Sequence, residues 1–347
     1  MDKIKLFLGA YVNFPNAQNI NCDNIARYID KDKFEVHVMY TDKMPIDKEK
    51  YRQAGVHLHR LIHHRYIWYW NKIFTMLLGN YDIYYLPKQE PMDRLFAKLF
   101  RKSRKVFVSS IEGVVGEQIP ADDEAQRAYY MELMDDSFAI SRCISESVEK
   151  HWGRRPEVLY LGVDDAGARP HVHDRVRRVI WVGSMIPRKR PEFLLDCAEA
   201  FPELDFLMLG DGSEQETVRH DIGRRGLKNV TCPGRVPNER VYGELAASDL
   251  LLMTSDKEGL PKVIGEAMTM GVPAIYINEC YDVDYIDSGV NGFAVSDLEE
   301  MKSKLQYLLD NPGEYRKMSA AAEASIQPYL WPKLVKQYEE YFESLVR

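Results

Sequence analysis

The chain has 347 residues, of which 45% are hydrophobic and 29% charged, with a formal net charge of −7 at neutral pH. That length favours two domains over one, the composition leaves no room for a large disordered tail, and the acidic balance argues against bulk nucleic-acid binding. No run reaches the ~18 apolar residues of a membrane-spanning helix. The five cysteines, Cys22, Cys143, Cys197, Cys232 and Cys280, are scattered without metal-ligand spacing and read as reduced thiols of a cytoplasmic protein. The charged lead Met1-Asp2-Lys3 into an apolar run has neither the length nor the cleavage site of a signal peptide.

In chain order, Ile4 to Leu8 is predicted as the first strand, followed by a loop from Gly9 to Gln18 and a helix from Ile20 to Ile29. Phe34 to Tyr40, Val56 to Leu61, Tyr81 to Leu86, Lys105 to Ser109 and Phe138 to Ser141 continue as strands with helices between, so this half is α/β. A helix from Ser145 to His151 and a strand from Val158 to Leu161 precede Gly162-Val163-Asp164. Asp165 to Asp174, with Gly167, Pro170, His171 and His173, lacks periodicity and reads as a linker. The second half opens with the strand Val179 to Val182. Helices at Pro191 to Ala200, Ser213 to Arg225 and Asn238 to Ala247 alternate with strands Leu204 to Leu209 and Val230 to Cys232, Asn238 serving as a helix cap. A last amphipathic helix, Lys333 to Arg347, follows a break at Trp331-Pro332.

The stretch around which the second half is organised runs from Ser248 to Asn278. Asp249 to Ser255 and Ala274 to Ile277 read as buried parallel strands. Between them lie the turn Lys257-Glu258-Gly259-Leu260 and a helix with Pro261 at its first position, stopped by Gly271. In an open parallel sheet ligands sit beyond the carboxyl ends of the strands, and a helix amino end there favours a phosphate. Two carboxylates flank that end, Glu258 and Glu266. Six helical residues span ~9 Å, so the pair is not expected to share a proton. A ligand with a phosphate centre and hydroxyl-bearing ends, such as a nucleoside diphosphate sugar, accounts for both acids; a solvated loop acid and a solvated helix face is the alternative.

Elsewhere, His57 and His59 read as strand neighbours with no carboxylate or cysteine at ligand spacing, and no metal is expected there. The aromatic tract His63 to Trp70 and the basic stretch Arg94, Lys98, Arg101, Lys102, Arg104, Lys105 lie in the first half. The latter is interleaved with Leu95, Phe96, Leu99 and Phe100. It reads either as a core-packed helix with a solvated basic face or as an interfacial helix for anionic lipid.

Glu258-Gly-Leu-Pro and Glu266-Ala-Met, followed by Gly-Val-Pro, resemble the paired-glutamate signature of retaining GT-B glycosyltransferases of the family 4 (group 1) type. Val182-Gly183 with Pro187-Arg188-Lys189-Arg190-Pro191, Leu209-Gly210-Asp211-Gly212, Gly234-Arg235-Val236 and Ser288-Gly289-Val290-Asn291-Gly292-Phe293 fall in that family's order. The resemblance covers the carboxyl-terminal half and implies two Rossmann-like doubly wound α/β domains facing a central cleft. Residues 1–165 would be the acceptor-binding domain, 166–176 a linker and 177–330 the nucleotide-sugar domain, with helix 333–347 crossing back onto the first.

The same resemblance implies transfer, with retention, of a sugar from a UDP- or GDP-linked donor to an acceptor hydroxyl in bacterial surface glycan, glycolipid or polysaccharide synthesis. It implies no metal cofactor. The acceptor would be a sugar, a lipid-linked molecule or a glycan, and the enzyme would be cytoplasmic, with peripheral contact to the inner face of an anionic membrane. Lys189 would hold the diphosphate, with Gly183, Ser184, Arg188 and Gly212 beside it and Arg235-Val236 near the base. Glu258 would bind sugar hydroxyls, the backbone of Gly259, Leu260 and Pro261 would line the sugar, the N–H groups of Lys262 and Val263 would face phosphate, and Glu266 would hold the ribose.

In the first half Asn13, Asn16 and Gln18 stand where the family has its glycine-rich loop and would meet the acceptor. Glu112 stands where many relatives carry a histidine, and is a candidate for stabilising oxocarbenium-like charge or acting as base. Ser184 replaces the family's arginine, for which Arg188 or Arg190 would have to substitute. That departure and Glu112 leave two rivals: a nucleotide-sugar-binding scaffold that has lost turnover, and a GT-B sugar-nucleotide epimerase. Asp282-Val283-Asp284 resembles the metal-binding pair of the other large glycosyltransferase fold, but follows a doubly wound strand and is not expected to bind magnesium.

Overall fold

The computed structural model describes residues 3–14, 16–62, 68–101, 103–165, 174–278 and 281–346. The chain divides into two compact units, Met1–Gly162 with Trp331–Arg347, and Val163–Leu330. Most of the expected linker, Cys280, Lys102 and the tract His63 to Ile67 lie outside the described residues.

In the first unit β1 (Ile4–Tyr11), α1 (Ala17–Tyr28), β2 (Phe34–Thr41), α2 (Lys48–Gln53), β3 (Val56–Leu61), α3 (Trp68–Gly79), β4 (Ile83–Tyr85), α4 (Pro91–Phe100), β5 (Val106–Ile111), α5 (Glu124–Ala128), β6 (Asp136–Ala139) and α6 (Arg142–Trp152) follow in order. The six strands form one parallel sheet in the order β3-β2-β1-β4-β5-β6. Outside the edge strand β3 their apolar runs are largely buried, as a sheet covered by helices on both faces requires. The order reverses between β1 and β4, the point where such sheets open a crevice.

The second unit repeats the plan with β7 (Arg178–Val182), α7 (Glu192–Ala200), β8 (Asp205–Leu209), α8 (Gln215–Arg225), β9 (Val230–Gly234), α9 (Asn238–Ala246), β10 (Leu250–Met253), α10 (Lys262–Met268), β11 (Ala274–Ile277), β12 (Gly292–Val295), α11 (Leu298–Asp310) and α12 (Pro312–Ile326). Its sheet runs β12-β11-β10-β7-β8-β9, again parallel, reversing between β7 and β10. Its own core gathers Trp181, Leu194, Phe206, Met208, Leu252, Ile275, Leu305 and Tyr315. The last helix, α13 (Trp331–Val346), packs within the first unit, burying Trp331, Leu334, Tyr338 and Phe342.

Several local expectations are corrected. The strand β1 runs on through Gly9 to Tyr11, and α1 starts at Ala17 rather than Ile20, because the Asn16 side chain caps it by accepting from Asn19 N at 2.9 Å. Val158 to Leu161 is not a strand; Val158 makes a single bridge to Ala139. Asn238 is the first helical residue of α9, with Pro237 at the cap position and no side-chain cap. Pro187–Lys189, ahead of α7, forms a 3-10 turn. Pro332 does not break α13 but sits in its first turn, where a missing N–H costs nothing.

Candidate active site

The loops that leave β7 and β10 meet at the reversal of the second sheet. After β7 the backbone is pinned sideways, Gly183 N donating to Leu209 O at 3.0 Å and Met185 N to Asp211 O at 2.7 Å. This close approach needs the glycines opposite. A Cβ on Gly210 would lie 1.8 Å from the Gly183 carbonyl oxygen, and one on Gly212 would lie 2.3 Å from that of Met185. Both glycines also have positive φ. Around this junction Val182, Gly183, Ser184, Leu209, Asp211 and Arg235, with their neighbours, line a cleft of about 290 Å³. Ser184 is exposed in it, and the exposed Arg235 guanidinium lies 4.0 Å from Asp211. Val236 lines the same cleft.

The 3-10 turn is stitched to the loop after β10. Thr254 Oγ1 donates to the Lys189 carbonyl at 2.6 Å and accepts from Trp181 Nε1 at 2.9 Å. Arg190, in a left-handed conformation at φ 44°, returns its Nε to the Thr254 carbonyl at 3.0 Å. Asp256 N donates to Arg188 O at 3.1 Å. The outcome is a cationic turn delivered onto an acid: Lys189 Nζ is ion-paired with Glu258 Oε1, and Arg188 Nη1 lies 3.2 Å from the same oxygen while also donating to Lys257 O. Lys189 and Glu258 are only 15% and 12% exposed, so the pair is largely screened from water, whereas Arg188 keeps 40%. Of the two arginines considered as substitutes, Arg188 lies beside Lys189 and Glu258. Arg190 turns to Thr254 and stacks over Phe193.

Pro261 is corrected from first helical residue to cap residue: it is extended at ψ 96°, and α10 starts at Lys262. Its carbonyl accepts from the buried Tyr285 hydroxyl at 2.9 Å and from Ile264 N at 3.1 Å, which sets the direction of the helix start. Gly259 and Leu260 complete the turn, Leu260 being buried. Lys262 and Val263 form the first turn of α10, and no side chain caps it. Four residues on from Lys262, Glu266 accepts from the Tyr242 hydroxyl at 3.4 Å, and burial raises its pKa above the usual carboxylate range.

Tyr281 escaped the sequence reading. Its hydroxyl is buried without a hydrogen-bond partner among the described residues and interacts electrostatically with Glu258. No spacing rule marks a lone tyrosine after β11. The Ser288 to Phe293 phrase is a turn held by Asn291, whose side chain bridges Asp287 N and Tyr285 O. Asp282 accepts from the Tyr276 hydroxyl and its own neighbour Val283 N, which ties it into the loop.

In the first unit the loops after β1, β4 and β5 form the corresponding edge. Asn13 is held on three sides, donating to Thr41 O and Met44 O at 2.7 and 2.8 Å and accepting from Thr41 N. Asn16 caps α1, so both amides serve the loop itself. Gln18 donates to Pro87 O at 3.0 Å and hydrogen-bonds Glu112. Glu112 also accepts from Ser110 Oγ at 2.8 Å, and burial pushes its pKa up to about 7. Beside it Tyr11 donates to both oxygens of Glu90, and Lys72, 1% exposed, bridges Glu90 at 2.8 Å and Asp93 at 2.7 Å. Burial works against the Lys72 charge, but the two carboxylates outweigh it and hold its pKa above the ordinary value. On the outer faces of α3 and α4, Trp70, Phe74, Leu78, Leu95 and Leu99 are exposed.

Two Rossmann-like units in one chain are the GT-B fold. The crystal structure of Anabaena Alr3699/HepE in complex with UDP superposes with a TM-score of 0.79 at 18% identity, covering 98% of this chain and 100% of that one. Residues 168–325, within the second unit, match the family described as glycosyl transferases group 1. An uncharacterized glycosyltransferase of Haemophilus influenzae is 26% identical over 171 residues, 47% of this chain and 48% of its own length. The O-antigen biosynthesis glycosyltransferase WbnH of Escherichia coli is 24% identical over 227 residues, covering 62% and 61%. The matched regions thus span about half to three-fifths of these relatives.

Proposed function

We propose that the chain transfers a sugar, with retention, from a nucleoside diphosphate sugar to an acceptor hydroxyl in the synthesis of a bacterial surface glycan. The observation that carries this is the meeting of Lys189 and Arg188 with Glu258 at the reversal of the second sheet. The cleft lined by Ser184 and Arg235 lies at the same reversal. The base and ribose enter that cleft, with Glu266 on the ribose hydroxyls. The diphosphate draws Lys189 and Arg188 away from Glu258, and the released carboxylate accepts hydroxyls of the donor sugar. The two cations then stabilise the charge that grows on the leaving diphosphate. A UDP-bound structure with the same fold and a biosynthetic relative support the donor class and the pathway type. In the first unit Glu112 is the group for proton transfer or charge stabilisation, and Gln18 holds it.

The test is calorimetric titration with UDP- and GDP-sugars together with a donor-hydrolysis assay. Binding with hydrolysis, the one weakened and the other sharply reduced in Lys189→Ala, is the expected result; binding without turnover would leave the scaffold reading, to which Ser184 lends support. Turnover is expected to persist in EDTA.

The acceptor is proposed to be lipid-linked. Trp70, Phe74, Leu77 and Leu78 share one helical face of α3, and Leu95 and Leu99 share one of α4, all exposed beside Lys98 and Arg101. Such a surface suits peripheral docking on an anionic bilayer, and among the described residues no helix is long and apolar enough to cross one. Sedimentation with vesicles containing phosphatidylglycerol is expected to capture the wild type and not Trp70→Glu/Leu99→Glu.

A further inference from the structure

At the amino-terminal end of the first sheet, away from the loops just described, β2 and β3 bring four chemistry-bearing side chains together. Glu35 and His37 alternate on β2, and His57 and His59 on β3, with His37 in register with His57 and Met39 with His59. Alternation places each pair on one face of the sheet. One ligand atom each from Glu35, His37 and His57 lies within 4.8 Å of the others. His37 Nε2 is 2.9 Å from Glu35 Oε1, and the His37 and His57 rings stack at 4.6 Å and 14°. Tetrahedral ligation at ~2.0–2.1 Å sets ligand atoms ~3.3 Å apart, so small side-chain rotations close the set around one ion.

The neighbouring groups suit that use. His37 Nδ1 is 2.9 Å from His59 Nε2, so with Nε2 on a metal the Nδ1 hydrogen is donated to His59, the partner that ligating histidines need. Tyr81, whose hydroxyl is 3.4 Å from His59 Nε2, packs 4.7 Å from His37 centroid to centroid and walls the inner side. His57 is exposed, which leaves an open approach and a coordination position for water. Among the described residues a competing cation is Lys5, its ammonium 3.8 Å from Glu35 and 45% exposed, able to withdraw into solvent.

We propose that Glu35, His37 and His57 form a binding site for a divalent transition metal, zinc by the nitrogen and oxygen character of its ligands, with His59 as the residue that positions His37. The ion ties β3, the outermost strand of the sheet, to β2. It lies at the opposite end of the strands from Glu112 and is independent of the transfer chemistry.

The experiment is titration of the full, metal-stripped chain with zinc chloride by calorimetry, with cobalt(II) as the spectroscopic probe. One zinc per chain is expected, with a rise in melting temperature that saturates at one equivalent and a visible cobalt spectrum of four-coordinate intensity. Glu35→Gln and His57→Ala, both at solvent-accessible positions, should abolish the binding while leaving the metal-free melting temperature within a degree or so. His59→Phe should weaken it by about 10–100-fold, the usual effect of losing such a partner. No binding by the wild type overturns the site, as does zinc binding that survives in both Glu35→Gln and His57→Ala.

Discussion

Lys189 and Glu258 neutralise one another without ligand, which gives their substitutions opposite effects on binding. On the proposed donor mode Lys189→Ala is expected to lower kcat by about 10²–10³ and weaken UDP. Glu258→Gln is also expected to stop turnover, yet on the proposed donor mode it would free Lys189 and Arg188 for phosphate, so UDP affinity should hold or rise. Equal loss of UDP affinity in both variants, read by calorimetry, would exclude this competition. Glu112 makes a second prediction at this scale. Its folded pKa of about 7 lies above its ordinary 4.5, so the fold favours the protonated acid. The stability tied to that proton is complete below pH ~4.5 and disappears as pH rises through ~7, roughly 3 kcal/mol in all. Urea unfolding of Glu112→Gln should be flat across that window relative to wild type; parallel curves would show that Glu112 titrates normally.

Among elements, the turns decide more than the strands. Gly210→Ala places a methyl onto the Gly183 carbonyl in the junction of β7 and β8, and should cost about 1–3 kcal/mol and damage the cleft. An unchanged melting temperature and UDP affinity would mean that the junction yields. Lys72→Met leaves the buried Asp93 and the part-buried Glu90 without their cation and should destabilise by about 3–5 kcal/mol, measured by denaturant unfolding. The strands were legible in the sequence because a parallel sheet buried on both faces leaves continuous apolar runs, as in Leu250–Met253 and Ala274–Ile277. Helix starts were not, since caps depend on partners that spacing does not reveal: Asn16 accepts from Asn19 N and opens α1 early, and Pro261 and Pro237 sit one step before their helices. Val158 to Leu161 has a strand's composition but only one bridging neighbour. The histidines of β3 looked isolated because Glu35 and His37 are contributed by the preceding strand, some twenty residues earlier. A reading that pairs adjacent strands in register would have found them.

At the scale of the whole molecule, each unit keeps its own core, and residues 163–330 should fold alone, unfold cooperatively and bind UDP. Removal of 331–347 should unfold the first unit, since α13 fills its core with Trp331, Tyr338 and Phe342, while UDP binding by the second unit persists; soluble, cooperatively folded truncated protein would contradict this. The pairing of Lys189 with Glu258 joins two local phrases of the second unit, each of which stands out in the sequence. The network of Tyr11, Lys72, Glu90 and Asp93 did not stand out, because it joins three segments, β1, α3 and the start of α4, that meet only through the fold.

The placement of α13 also sets an order of birth. A ribosome adding ~5–20 residues per second has translated every part of the second unit before it reaches the final helix of the first. The later-encoded unit can therefore finish folding first. The earlier one must wait, its groove for α13 open and apolar, and is the part of the nascent chain most in need of a chaperone.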